Sequence, residues 1–136
     1  SYILNDLLND NNDITLIVDA EFSTEGKDKD FVKTSRPYSR DLYLDANVVK
    51  FNNMSGDLKN DEINGEFIGL WKFNNTGRLA VEKALDVLSK REDFKNLTTT
   101  DLLNEISKSH PIAIKYIKGS WLDIDTFVDL QKAGEI

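Results

Sequence analysis

Apolar positions change period several times along the chain, and each change marks an element. Ile3, Leu4, Leu7 and Leu8 recur at helical spacing over residues 2–9, and the asparagine-rich NDNND then breaks the helix. Residues 14–20, ITLIVDA, are an unbroken apolar run rich in β-branched residues, closed by Asp19. That length and composition predict a strand buried on both faces, as in a parallel sheet. Polar residues 23–30 predict a loop. FVKT and DLYLD, on either side of Pro37, predict short extended segments; ANVVKFNN predicts a further strand, and 55–62 a second polar loop. GEFIGLWKF, residues 65–73, is the second strong strand. In TGRLAVEKALDVLSKRE, Leu79 or Val81 joins Ala84, Leu85 and Leu88 on one helical face. TTTDLLNEISKS, 98–109, predicts a helix with Leu102, Leu103 and Ile106 inward and Thr99 or Thr100 as its cap. PIAIKYI alternates as a strand. After Gly119 come Trp121, Asp123 and Asp125, then an amphipathic helix with Thr126 before Phe127, Leu130 and Ala133, ended by Gly134.

Strands and helices in this order predict an α/β domain. In open α/β sheets, ligands bind at the carboxyl ends of strands. Asp19, Phe73 with Asn74, and Asp123 with Asp125 all stand at such predicted ends.

The chain has 136 residues, the size of one domain, and a formal net charge of −7. Such a balance argues against a grip on nucleic acid or on an anionic membrane, which needs clustered Lys and Arg. With no cysteine, disulfide frameworks, zinc fingers and cysteine nucleophiles are excluded. A lone His110 leaves no histidine-rich metal site and no histidine-centred triad. No apolar run reaches the roughly 18–20 residues of a membrane span. SYILNDLLND lacks the basic start of a signal peptide and an initiator Met, so the expectation is a cytoplasmic chain cut from something longer.

Asp123 and Asp125 carry the sharpest chemistry. On a strand, residues i and i+2 share a face about 6.6–7 Å apart, so both carboxylates can converge on one cation. Magnesium takes such oxygens and completes its shell with water and phosphate. The alternative is a solvated strand end with Asp125 helping to cap the following helix. Glu66 and Lys72 share a parity on an otherwise apolar strand. They predict either a polar pocket for a charged substrate or a surface ion pair. Gly65 and Gly69 would let a backbone or ligand approach closely. Trp71 and Trp121 suit a core, and Trp121, beside two carboxylates, also suits a ligand cation over its ring. Arg36, Arg40 and Arg78 read as phosphate contacts or as ordinary exposed arginines. There is no phosphate-cradling glycine loop.

Taken in order, DITLIVDAEF, GEFIGLWKFNNTG and GSWLDIDTFVDLQKAG resemble the C-terminal half of a nucleotidyltransferase domain. The resemblance covers nearly the whole chain. It points to small cytidylyltransferases: phosphocholine cytidylyltransferases of bacterial type, and the domain fused to phosphoenolpyruvate phosphomutase. It implies a partial three-layer α/β/α sandwich with a mixed, mostly parallel sheet, nucleotide-diphospho-sugar-transferase-like, from which N-terminal strands are missing. It also implies transfer of CMP from CTP to a small phosphate or phosphonate acceptor, with release of pyrophosphate. Mg2+ is the implied cofactor, held by Asp123 and Asp125, with Asp125 and Lys72 as the catalytic pair. Glu66, Lys72 and Trp121 match acceptor-side positions. The family's glycine-rich nucleotide loop and its early metal-binding Asp have no counterpart here, so the isolated chain is expected to be inactive. Its expected partners are CTP, the acceptor, the remainder of its own polypeptide and a second copy of itself. The competing expectation is an accessory domain that keeps the fold without the chemistry. A magnesium-dependent phosphohydrolase, a third reading, needs more carboxylates around Asp19.

Overall fold

The computed structural model describes residues 2–24, 30–44 and 48–119; Trp121, Asp123, Asp125 and the last predicted helix lie outside them. In chain order run α1 (Tyr2–Leu8), β1 (Ile14–Asp19), β2 (Phe31–Thr34), β3 (Phe51–Met54), β4 (Gly65–Phe73), α2 (Asn75–Ser89), α3 (Thr99–Ser107) and β5 (Ala113–Ile117). Five strands form one mixed sheet in the order β3-β2-β4-β1-β5.

The fold is α/β, but the expectation of a mostly parallel sheet is corrected. Among the described residues only β1 and β5 pair in parallel; β1–β4, β2–β4 and β2–β3 are antiparallel. No α-helix lies between β1 and β4 in the described chain. Strands joined without a helical crossover pair antiparallel.

β1 is buried at all six positions because it is covered on both faces. Its even-numbered residues Ile14, Leu16 and Val18 pack with Val81 and Ala84 of α2 and Leu103 and Ile106 of α3. On the opposite face Ile17 packs with Ile3 and Leu7 of α1 and with Ile117 of β5. Each such side chain stabilises the fold by about 1.5–3 kcal/mol when fully buried. One row of α2, Gly77, Val81, Ala84 and Leu88, is buried. Leu79 and Leu85 are exposed, so Val81 rather than Leu79 leads that row and Leu85 does not belong to it.

Two local expectations change for chemical reasons. DLYLD is not extended: residues Arg40–Leu44 form a 3-10 helix. Ser39 opens it, its hydroxyl accepting from the Asp41 N–H at 3.2 Å and its carbonyl from the Leu42 N–H at 3.2 Å. The cap of α3 is Thr98, whose N–H donates to the Asp101 carboxylate at 2.8 Å and whose hydroxyl does so at 3.1 Å. Asp101 reaches back only from the third helical position, which excludes Thr99 and Thr100 as the cap.

The β1–β4 ladder contains a bulge. Leu16 faces Trp71 and Val18 faces Phe67, so β4 takes four steps where β1 takes two. Gly69 sits in that irregularity at φ 88°, a conformation open to glycine without steric cost. The surplus is even, so Glu66 and Lys72 remain on one face, the side of the sheet that α1 covers.

Candidate functional site

The parallel β1–β5 pair places two carboxyl strand ends together. Asp19 of β1 is in register with Ile117 of β5, and the Ala20 N–H extends the pairing to the Ile117 carbonyl at 2.8 Å. Antiparallel β4 brings Glu66 opposite Asp19. A side chain at Gly65 could not be accommodated there, since its Cβ would strike Val18 Cγ1 and lie 2.8 Å from the Asp19 carbonyl oxygen. Gly65 therefore permits the close approach that sets Glu66 beside Asp19.

Asp19 is 4% exposed. Its Oδ1 accepts from the Glu21 N–H at 2.8 Å and from the Gly119 N–H at 3.0 Å. Gly119 has φ 69°, and a Cβ there would lie 2.7 Å from Glu21 Oε2. Glu21 Oε1 is also 3.7 Å from Lys118 Nζ. The point where the chain leaves β5 is thus held from the end of β1. Trp121 follows two residues later and Asp123 four residues later.

Lys72 lies at the other end of the sheet. It is in register with Thr15, and its ammonium donates to the carbonyls of Leu8 and Asp10, both at 2.9 Å. That ammonium closes the C-terminal end of α1, where cations are favoured by unpaired carbonyls. Glu66 and Lys72 share a face, as their parity predicts, but the structure does not bring them together. Phe73 and Asn74 also stand at this opposite end, because β4 runs against β1. Asn74 caps α2 by accepting the Gly77 N–H at 2.8 Å, and its amide donates to Asp13 Oδ1 at 2.9 Å.

Asp10 is a polar hub at the same end and was not singled out by sequence. Its Oδ1 accepts from the Thr15 hydroxyl at 2.7 Å and the Asn12 N–H at 2.8 Å, and its Oδ2 lies 3.8 Å from Lys115 Nζ. Burial pushes its pKa up, but the bonds from Thr15 and Asn12, aided by Lys115, outweigh burial and hold the carboxyl below its ordinary value. The signal was present in DNNDIT: an Asp two residues before an Asn is a local turn builder.

The remaining candidates have ordinary settings. Trp71 packs against the core, 5.1 Å from the Phe73 ring between centroids. Arg78 makes an exposed pair with Glu82 at 3.9 Å. His110 Nε2 lies 3.3 Å from Asp13 Oδ2. A cleft of about 450 Å³ runs along the outer edge of β5, lined by Asp6, Asp10, Tyr38, Val48, Lys115 and Lys118 among others, and includes neither Asp19 nor Glu66.

Among the described residues no group of three His, Cys, Asp or Glu is arranged to hold a metal ion. Carboxylate oxygens are the hard donors that magnesium accepts. Asp123 and Asp125 supply such oxygens but lie outside the described residues. Among the described residues no helix is long and apolar enough to cross a membrane. Compared with protein-family models and with curated proteins, the chain matches none.

Proposed function

We propose that this chain is the acceptor-side part of a magnesium-dependent nucleotidyltransferase. The whole enzyme would transfer CMP from CTP to a small phosphate or phosphonate acceptor of phosphocholine or 2-aminoethylphosphonate type and release pyrophosphate. One observation carries this reading. Asp19 holds Gly119 at the carboxyl end of the parallel β1–β5 pair, with Glu66 alongside, and Trp121, Asp123 and Asp125 follow Gly119 within six residues of sequence. Helices on both faces of the sheet suit the layered architecture that the family resemblance implies.

In this reading Asp123 and Asp125 would hold Mg2+. The ion would offset charge on the departing pyrophosphate. Glu66 and Trp121 would receive the amine-bearing end of the acceptor, a carboxylate by charge and an indole by its ring face. The activity would be cytoplasmic, where CTP is supplied. An accessory, non-catalytic domain is the second reading, and Lys72 favours it. The family resemblance assigns this lysine to the acceptor, yet its ammonium is engaged by the Leu8 and Asp10 carbonyls.

Titration of labelled chain with 2-aminoethylphosphonate or phosphocholine, with Mg2+ present, tests the first reading. Amide shifts at Asp19, Glu66 and Gly119 are expected, without pyrophosphate release from CTP. Absence of any shift at these residues at millimolar acceptor would refute the acceptor-side assignment. Turnover at an ordinary rate of about 1–10³ per second would refute the expected inactivity of the isolated chain.

A further inference from the structure

We propose that the outer edge of β5 is a docking groove for an extended basic segment of another protein, which adds to the sheet as a further strand. The groove includes neither Asp19 nor Glu66, so it stands whether or not the transferase reading holds.

β5 ends the sheet on one side. Its odd-numbered residues turn their backbone groups to β1, as the Ile117 carbonyl does in accepting from the Ala20 N–H. Even-numbered residues turn theirs outward. The Ile112 carbonyl accepts from the Phe51 N–H at 2.9 Å, and the Ile114 N–H donates to the Val49 carbonyl at 2.8 Å. Residues 49–51 therefore cover only the start of the edge, around the bridge between Lys50 and Ala113. The next outward groups are the N–H and carbonyl of Tyr116, and among the described residues neither has a backbone partner. Tyr116 is a buried residue, and backbone groups at such positions call for pairing. Water reaches them through the cleft; an added strand would replace that water and bring side-chain contacts of its own.

This edge is the floor of the cleft of about 450 Å³. Ile3 and Asp6 of α1 stand on one side of it, and Tyr38, Leu42 and Val48 on the other. Two walls leave room for one thin chain, not for a second sheet edge carrying walls of its own, which argues against a second copy. From Ile114 to Lys118 the edge runs about 13 Å, enough for four or five paired residues. Side chains of an added strand alternate between the walls. The one opposite Tyr116 would meet Tyr38, Leu42 and Val48, which is 45% exposed, and calls for an apolar residue. Its neighbours would face α1. The lysines of the lining are already opposed, Lys115 by Asp10 at 3.8 Å and Lys118 by Glu21 at 3.7 Å. The exposed Asp6 carboxylate has no ion pair among the described residues, so the side chain that meets it is Lys or Arg. The net charge of −7 draws a cationic segment in the same sense.

The test uses the full chain and, as probe, a blocked pentapeptide of alternating lysine and valine, read by amide hydrogen exchange and by titration. In the free chain the Tyr116 amide should exchange faster than that of Ile117, which is turned to β1. Equal protection of the two at every protein concentration would overturn the proposal, because the chain would then cover its own edge. Protection of Tyr116 that grows with protein concentration would overturn it in favour of a second copy. Millimolar peptide should slow Tyr116 exchange at least about tenfold, and no slowing refutes the docking. A peptide methylated at both valine nitrogens should bind at least about tenfold more weakly, the loss of one hydrogen bond; undiminished binding refutes strand addition. Asp6→Asn should weaken the lysine peptide about two- to fivefold, the scale of one exposed ion pair. A peptide with glutamate in place of lysine should bind more weakly still, and equal affinity for the two peptides refutes the basic partner.

Discussion

Replacing Lys72 with Met separates the two readings of this chain. Methionine keeps the length and apolar stem of the side chain and removes the ammonium. In the folded chain that ammonium makes two bonds of 2.9 Å, to the Leu8 and Asp10 carbonyls. A hydrogen bond to a charged group contributes about 1.5–3 kcal/mol net. The Leu8 contact is exposed and water replaces it at small cost, whereas the Asp10 contact is part-buried. The sum expected is therefore about 2 kcal/mol, close to one full bond. With a urea slope of about 1.5 kcal/mol/M, the unfolding midpoint should fall by roughly 1.3 M. Urea denaturation followed by tryptophan fluorescence measures this, and calorimetric titration with 2-aminoethylphosphonate is run on the same two proteins. A lowered midpoint with acceptor affinity within about twofold identifies Lys72 as the clasp between α1 and β4. An unmoved midpoint with acceptor affinity reduced more than about tenfold refutes that reasoning, and Lys72 would then be the acceptor's phosphonate contact.

Four further outcomes are expected. Gly77→Ala should destabilise by about 2 kcal/mol or more in thermal unfolding, because its Cβ would collide with the Asp13 carbonyl oxygen and lie 2.9 Å from Ile14 Cγ1. Asp10, whose folded pKa is lowered, contributes stability that is present above its unfolded pKa and is lost as pH falls through the folded value; urea midpoints measured from pH 5 down to about 2 should fall less steeply below about pH 4 in Asp10→Asn than in the parent. Residues 68–73 of β4 have no strand neighbour away from β1 among the described residues, and open edges pair with other chains, so sedimentation should show dimer or larger, and strict monomer at high concentration would contradict this. If the transferase reading holds, Asp123→Asn and Asp125→Asn in the complete enzyme should each lower turnover by at least about 10²-fold, and near-normal rates for both at limiting magnesium would leave the pair as a solvated strand end.

The elements whose identity depends on burial alone were readable. ITLIVDA needs two apolar faces, and it has them because α1 and the α2–α3 pair cover the sheet from either side. GEFIGLWKF matches β4 at both ends. What was not readable was set by local turn chemistry that composition hides, or by contacts far along the chain. DLYLD has strand-like composition, but Ser39 satisfies its first donors locally and winds it into a 3-10 helix. Leu85 fits a helical stripe, yet the buried row of α2 is Gly77, Val81, Ala84 and Leu88, and Val81 and Ala84 belong to the core that includes Leu16 and Val18 of β1. Asp10 carries only the turn signal of DNNDIT; Lys115, which completes its setting, is more than a hundred residues away.

The candidate site shows the same division. Parity is a local property, and it correctly set Glu66 and Lys72 on one face of β4. Direction is not local, because nothing within GEFIGLWKF states which way its neighbour runs. Running β4 against β1 moves Glu66 to the carboxyl end of the parallel pair and Lys72 to the amino end. Any ligand held at the end of β1 and β5 can therefore meet Glu66 and Gly119, but not Lys72, unless it spans the sheet. Glu66 and Lys72 stand opposite Asp19 and Thr15, four residues of β1 apart, roughly 13 Å along a strand. In the transferase reading proposed above, the acidic end would then receive the acceptor's amine. On that reading the cation for its phosphonate would come from Mg2+ or from another part of the enzyme.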